Sequence, residues 1–184
     1  LPIEPLSAYK LLSCIFDYLL AAAMGYFVYD FSEKDRVLKG AMAYMLVLMS
    51  PIVFLNSSYW GQCDAIYTFF CVASLLAFCR DKYKLTFVLY GVAFAFKLQA
   101  VFLLPFFLFA YFVKKKFSVL YFGIIPVMMV ILSIPGLIMG RSVAEVFTIY
   151  LNQTGSYKSI TMNYPTFWNL LQSANMDAFY INMK

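Results

Sequence analysis

The sequence predicts an all-α protein, a polytopic transmembrane helical bundle. Of its 184 residues 64% are hydrophobic and only 12% are charged, and the mean hydropathy is +0.79. A soluble domain is closer to half apolar and a quarter charged. The apolar residues form runs of the length that membrane helices need, and short basic loops separate these runs. The composition therefore excludes a soluble domain, and we attribute the net charge of +5 to membrane orientation and expect no nucleic-acid partner.

Residues 1–139 are predicted to form a transmembrane helical core. At about 1.5 Å per residue, the longest runs can cross a hydrocarbon layer of roughly 30 Å. The predicted spans cover about residues 9–29, 40–56, 65–79, 85–96, 99–113 and 117–138. Residues 140–184 are more polar, and we expect an extracytoplasmic loop with interfacial helices there.

The segment 85–113 is predicted to be a hairpin of two short half-spans. A single straight helix would be roughly 43 Å long, which is too long for the membrane without strong tilt. It would also place the basic clusters 80–84 and 114–116 on opposite sides, against the positive-inside tendency. A turn at Lys97 removes both conflicts, and half-spans that meet at polar residues are tolerated where they line a cavity.

The distribution of basic residues predicts the topology. The loops 30–39, 80–84 and 114–116 contain nine of the fourteen Lys and Arg residues, so we expect these loops to be cytoplasmic. The other polar stretches then share the extracytoplasmic face: residues 1–8, 60–64, 97–99 and 140–184. The sequence thus predicts a multi-pass membrane protein with its site on the extracytoplasmic side.

A first group of candidate substrate-binding residues interrupts the apolar sequence between two spans. Trp60 could stack on a sugar ring or a lipid head group, although aromatic residues also form ordinary interfacial belts. Gly61 permits a tight turn, and Gln62 can donate and accept hydrogen bonds to hydroxyl groups. Asp64 begins the next span, where a carboxylate can cap the helix, bind a hydroxyl group or act as a base.

A second group of candidate substrate-binding residues lies at the predicted turn. Lys97 is flanked by the apolar strings AFAF and LQAVFLLPFF, and a charge at membrane depth is costly. It either snorkels to the interface or binds an anionic group such as a phosphate. Gln99 could share that ligand. Asp17 lies inside the first span, where it either pairs with a neighbouring helix or stays protonated, and we expect a structural role for it.

The cysteines indicate neither a metal site nor a disulfide framework. The chain has no His and no CxxC pair, and its cysteines lie mostly in apolar segments, where they resemble small core residues. The cysteines are Cys14, Cys63, Cys71 and Cys79. We therefore predict no metal and no cofactor.

Four strings together resemble a known family. KLLSCIFDYLLA, LNSSYWGQCDAIYTFF, GVAFAFKLQAVFLLPFF and QTGSYKSITMNYPTFWNLL are similar to bacterial integral-membrane glycosyltransferases of the GT-C superfamily. These are the bacterial relatives of the second mannosyltransferase of glycosylphosphatidylinositol-anchor synthesis. The resemblance implies a polyprenyl-phosphate-linked sugar donor, with mannose the favoured hexose, and a hydroxyl acceptor on a glycan or lipid.

The resemblance also implies where the catalytic residue lies. Enzymes of this superfamily have a catalytic Asp in the first extracytoplasmic loop, which we expect before Leu1, so the given residues alone should lack activity. Asp64 is the alternative base within the chain. Two other classes of function stay open: a transporter or flippase for polar or lipid-linked solutes, and a structural subunit. A carrier should show an inverted repeat, and the sequence shows none.

Overall fold

The computed structural model describes residues 4–144 and Thr148, and this part of the chain forms helices and no strands. The α-helices are α1 (Pro5–Phe31), α2 (Arg36–Leu48), α3 (Pro51–Phe54), α4 (Asp64–Cys79), α5 (Tyr83–Phe96), α6 (Leu104–Lys114) and α7 (Ile124–Ile138). A π-helical segment (Leu55–Tyr59) and two 3₁₀-helical segments (Leu98–Leu103 and Val119–Gly123) join them. The predicted all-α class is confirmed, whereas nearly all of the predicted loop 140–184 lies outside the described residues.

The chain divides into two compact units, Leu1–Ile134 and Pro135–Lys184. The first unit contains every predicted site residue, and the rest of the description concerns it. In the second unit, the described residues form the end of α7 and a turn at Gly140, where φ is 90°.

Several helices are long and apolar enough to cross a membrane. The segments Leu6–Phe31 and Val119–Ile138 have mean hydropathies of 1.8 and 2.2, and a third span forms if Arg36–Leu48 and Pro51–Tyr59 are taken together across their 46° bend. The bend follows from Pro51, because a proline disfavours helical geometry at the residue before it. Together with the shorter apolar helices, these segments make the chain a multi-pass membrane protein.

The chain reverses direction at Lys97, as the length argument predicts. Lys97 has extended backbone angles, with φ −155° and ψ 131°, so α5 ends there. The Tyr90 hydroxyl then donates to the Ala100 carbonyl at 2.9 Å, and the Phe87 and Phe107 ring centroids lie 5.5 Å apart. In one straight helix Phe87 and Phe107 would be about 30 Å apart. The two segments therefore form a hairpin.

Buried aromatic rings hold this hairpin against α4. Phe78 packs edge-to-face against Phe107 at 5.6 Å and against Phe117 at 5.9 Å. Phe87 and Tyr90 are fully buried between the same elements. Each such ring pair adds about 0.5–1.5 kcal/mol beyond the burial of its area. This cluster fixes the relative positions of the α4, α5 and α6 helices.

The three basic loops lie at the same end of the helices. Arg80, just after α4, forms an ion pair of 3.0 Å with Asp30 near the end of α1. The Lys114 ammonium lies 4.6 Å from the centroid of the Phe78 ring. Since α4 has 16 residues, its other end is about 24 Å away. The polar residues at the start of α4 are therefore well separated from the basic loops.

Helices α1 and α2 approach each other at two glycines. A Cβ atom built on Gly25 would lie 2.9 Å from the Gly40 carbonyl oxygen, and one built on Gly40 would lie 2.9 Å from the Gly25 oxygen. Small residues permit such backbone contact between membrane helices, where dispersion rather than the hydrophobic effect drives association.

We expect Gly25→Ala to lower the free energy of unfolding by about 1–3 kcal/mol, because the new methyl group must push the helices apart. Gly136→Ala is the matched control, since a Cβ there would meet nothing within 4 Å. The control should be neutral or slightly stabilised by its better helix propensity. Thermal unfolding in detergent measures both variants, and equal unfolding midpoints would contradict the packing described.

Candidate functional site

The structure brings together two charged residues that belong to different groups of candidate site residues, Asp64 and Lys97. The Lys97 ammonium forms an ion pair with the Asp64 Oδ1 atom, although 33 positions separate the two residues. The Asn56 side-chain amide donates to the other oxygen, Asp64 Oδ2, at 2.8 Å. The side chains of Lys97 and Asp64 are 22% and 38% exposed, so the pair is partly open to a ligand.

Helix geometry explains why these two residues meet. Asp64 is the first residue of α4, and Lys97 follows the last residue of α5, with its backbone N–H donating to the Ala93 oxygen at 3.1 Å. A carboxylate is favoured at a helix N-terminus and a cation at a C-terminus. Because α4 and α5 are antiparallel neighbours, these two ends lie side by side. The Tyr67 ring, 5.8 Å from the Lys97 nitrogen, adds a cation–π contact.

The segment between α3 and α4 forms a compact turn beside this pair. The Gln62 N–H donates to the Asn56 carbonyl at 2.9 Å, and Gly61 has a positive φ of 65°. Lys10 of α1 covers the turn: its ammonium donates to the Tyr59 carbonyl at 3.0 Å, and a Cβ on Gly61 would lie 3.3 Å from its side chain. A glycine at position 61 therefore suits the turn in two respects: it adopts the positive φ without strain, and it leaves room for the Lys10 side chain.

The remaining predicted residues are exposed around the turn and the hairpin. Trp60 is 71% exposed, and Gln62 and Gln99 are exposed as well. Among the described residues, no side-chain hydrogen bond connects these three to the ion pair. They offer an aromatic face and two amides to a ligand.

Sequence reasoning missed Asn56 as a site residue. Its role depends on the π-helical segment Leu55–Tyr59, which changes the residue spacing that a regular helix would give. The signal that was present is the run of polar residues directly before Asp64.

Comparison with known proteins identifies the family. The sequence model of glycosyltransferase family 87 matches residues 1–174. The chain belongs to glycosyltransferase family 87. The predicted membership of an integral-membrane glycosyltransferase family is thus confirmed, and the chain is a membrane glycosyltransferase rather than the transporter or structural subunit that the sequence left open. No curated protein and no solved structure shows significant similarity to it.

The geometry limits what each charged group of the family 87 chain can do. Both Asp64 oxygens have partners, so this carboxylate holds the Lys97 ammonium and the Asn56 amide in place. An ammonium has three N–H donors, and one ion pair leaves capacity for an anionic ligand. The site therefore offers an oriented cation with exposed amide and aromatic groups beside it.

Proposed function

We propose that this family 87 glycosyltransferase transfers a sugar from a polyprenyl-phosphate-linked donor to a hydroxyl group, and that Lys97 binds the donor phosphate. The observation that supports this proposal is the Lys97 ammonium, held at a helix break by Asp64 and still 22% exposed. A phosphate needs a nearby cation, and charge-assisted hydrogen bonds are the strong ones. Trp60, Gly61, Gln62 and Gln99 are proposed to contact the sugar or the acceptor.

The chemistry of the transfer explains why a cation matters most. The bond between the sugar C1 atom and the phosphate oxygen breaks, the acceptor oxygen bonds to C1, and a base takes the acceptor proton. The phosphate leaves with its negative charge and needs no acid. A cation that stabilises this growing charge lowers the barrier directly. Lys97 is proposed to supply the charge, and Asp64 to hold it in place.

The resemblance to GT-C enzymes supports the assignment of the catalytic base, the transferred sugar and the membrane face. That resemblance assigns the base to an Asp of the first extracytoplasmic loop, favours mannose as the hexose, and puts the site on the extracytoplasmic side of a bacterial plasma membrane. The acceptor is proposed to be a glycan or a lipid hydroxyl. The separation of the ion pair from the basic loops by the length of α4 supports the assignment of opposite faces.

A donor-exchange assay tests the proposed function. Membranes from cells that express the full-length enzyme are supplied with a radiolabelled hexose, linked either to polyprenyl phosphate or to a nucleotide. We expect transfer to an endogenous or added acceptor from the lipid-linked donor alone. Transfer from the nucleotide donor after removal of all polyprenyl phosphate would contradict the proposal.

The topology can be tested with single cysteines in a cysteine-free background. Ser58 and Ser118 are both exposed and lie near opposite ends of the helices. An impermeant thiol reagent should label Ser58→Cys from the extracytoplasmic side and Ser118→Cys only after the membrane is opened, because the basic loops are predicted to be cytoplasmic. Labelling of both cysteines from the same side would show that the topology is wrong.

A further inference from the structure

A buried polar contact joins α1 to the segment that precedes the ion pair. The Asp17 side chain is buried at 4% exposure, and Ser57 at 1%. The Ser57 hydroxyl donates to the Asp17 Oδ1 atom at 2.7 Å, across 40 positions of sequence. A buried carboxylate is costly in a membrane helix. Such residues usually have a polar partner and often mark a functional site.

Ser57 is well placed to transmit the position of Asp17 to the site. It belongs to the π-helical segment Leu55–Tyr59, and π-helical turns are frequent at functional sites. The preceding residue, Asn56, donates its amide to Asp64 and accepts the Gln62 N–H through its carbonyl. A single hydrogen bond to Asp17 therefore fixes the backbone that orients the partner of Asp64.

A second polar residue of α1 provides a comparison within the same helix. Ser13 lies four residues before Asp17 and is fully buried. Within the described part of the chain its hydroxyl has no hydrogen-bond partner. Burial of a polar group on this side of α1 therefore does not by itself produce a contact with the π-helical segment, whereas Asp17 has one.

We propose that Asp17 is a positioning residue of the donor site: it anchors Ser57, and through the neighbouring Asn56 it orients Asp64 and so Lys97. This inference rests on the proposed function in that the anchored site is the one assigned to the donor phosphate. The sequence analysis gave Asp17 only a general structural role.

The test compares Ser57→Ala with Asp17→Asn and Ser13→Ala. Ser57→Ala removes the hydrogen bond with almost no change of volume, and we expect the apparent KM for the lipid-linked donor to rise roughly 10-fold, since a buried group loses its partner. Asp17→Asn keeps a carbonyl oxygen that can accept from Ser57, and it should raise the donor KM less than Ser57→Ala does. Ser13→Ala removes a hydroxyl without a partner and should change neither KM nor kcat.

A second readout is independent of activity. Cys63 directly precedes Asp64, and Cys79 lies at the other end of α4. The experiment uses variants that keep only one of these cysteines. Ser57→Ala should raise the labelling rate of Cys63 roughly 10-fold, because loss of the hydrogen bond to Asp17 lets this segment open more often. The labelling rate of Cys79 should not change. A general loss of stability would raise both rates.

The outcomes separate the two proposals. An unchanged Cys63 labelling rate in Ser57→Ala would overturn the positioning role of Asp17, whatever the donor. A raised Cys63 rate in an enzyme that makes no use of lipid-linked donors would keep the anchor and overturn the proposed function. Equal effects of Ser13→Ala and Ser57→Ala on donor KM would also overturn the inference.

Discussion

Replacing Lys97 with methionine is expected to lower the rate of sugar transfer by roughly 100-fold or more, the usual effect of removing an electrostatic stabiliser of the transition state. Methionine keeps the apolar stem and the approximate volume, so the hairpin at Lys97 should still form. Asp64 would lose its cation but keep the hydrogen bond from Asn56 and its 38% exposure. A partly exposed ion pair contributes only about 0–1 kcal/mol, and the variant should remain folded.

Two further variants make this experiment specific. Lys97→Arg keeps the charge but changes its shape and reach, and it should retain part of the activity. Lys82→Met removes a basic residue at the opposite end of α4 and α5, and its transfer rate should equal that of the parent. Transfer by Lys97→Met at the parent rate, with unchanged donor affinity, would mean that Lys97 is only a snorkelling anchor.

Replacing Asp64 with asparagine is expected to lower both stability and activity. The variant leaves the Lys97 ammonium without its counter-charge in an apolar setting, at a cost of about 1–2 kcal/mol, reduced from the fully buried case because both side chains are partly exposed. The transfer rate should fall roughly 10-fold to 100-fold, because the cation is no longer held in position. Thermal unfolding and the transfer assay measure the two effects separately.

The matched control for this variant is Asp30→Asn. Asp30 pairs with Arg80 at the other end of the helices, and the Arg80 and Asp30 side chains are 38% and 26% exposed, much like the first pair. Its loss should change the stability little and leave transfer unchanged. The double variant Asp64→Lys with Lys97→Asp restores opposite charges and should recover part of the stability but no transfer. Recovery of transfer by this charge exchange would contradict the assignment of the phosphate to Lys97.

The fold could be predicted from the sequence because membrane helices are limited by length and charge. The segment 85–113 is too long for one straight span, and its flanking basic clusters belong on one side, so a turn at Lys97 was the only consistent arrangement. The structure has that turn. The same reasoning singled out Lys97 as a functional residue, since no apolar helix needs an ammonium at that depth.

The ion pair itself could not be predicted. Asp64 and Lys97 lie on different helices, and only the antiparallel packing of α4 and α5 brings their ends together. From the sequence each residue had a separate explanation, a helix cap or base for Asp64 and a phosphate ligand for Lys97. The pairing adds a further explanation for Asp64, the counter-charge that holds Lys97.

The hydrogen bonds around the π-helical segment were hidden for a different reason. A regular helix through Leu55–Tyr59 would give another spacing of side chains, and sequence patterns do not distinguish the two. The roles of Asn56 and Ser57 therefore appear only in the structure. The sequence also does not show which polar residue pairs with Asp17. The structure shows that this partner is Ser57.

Equilibrium binding of polyprenyl phosphate to the purified enzyme in detergent tests the central claim most directly. The lipid contains the phosphate but no sugar, so binding reports the cation site without catalysis. We predict that Lys97→Met weakens this binding by roughly 10-fold or more, as expected for the loss of one charge-assisted contact, and that Lys82→Met binds like the parent. Equal affinity of the parent and Lys97→Met for polyprenyl phosphate would contradict the account.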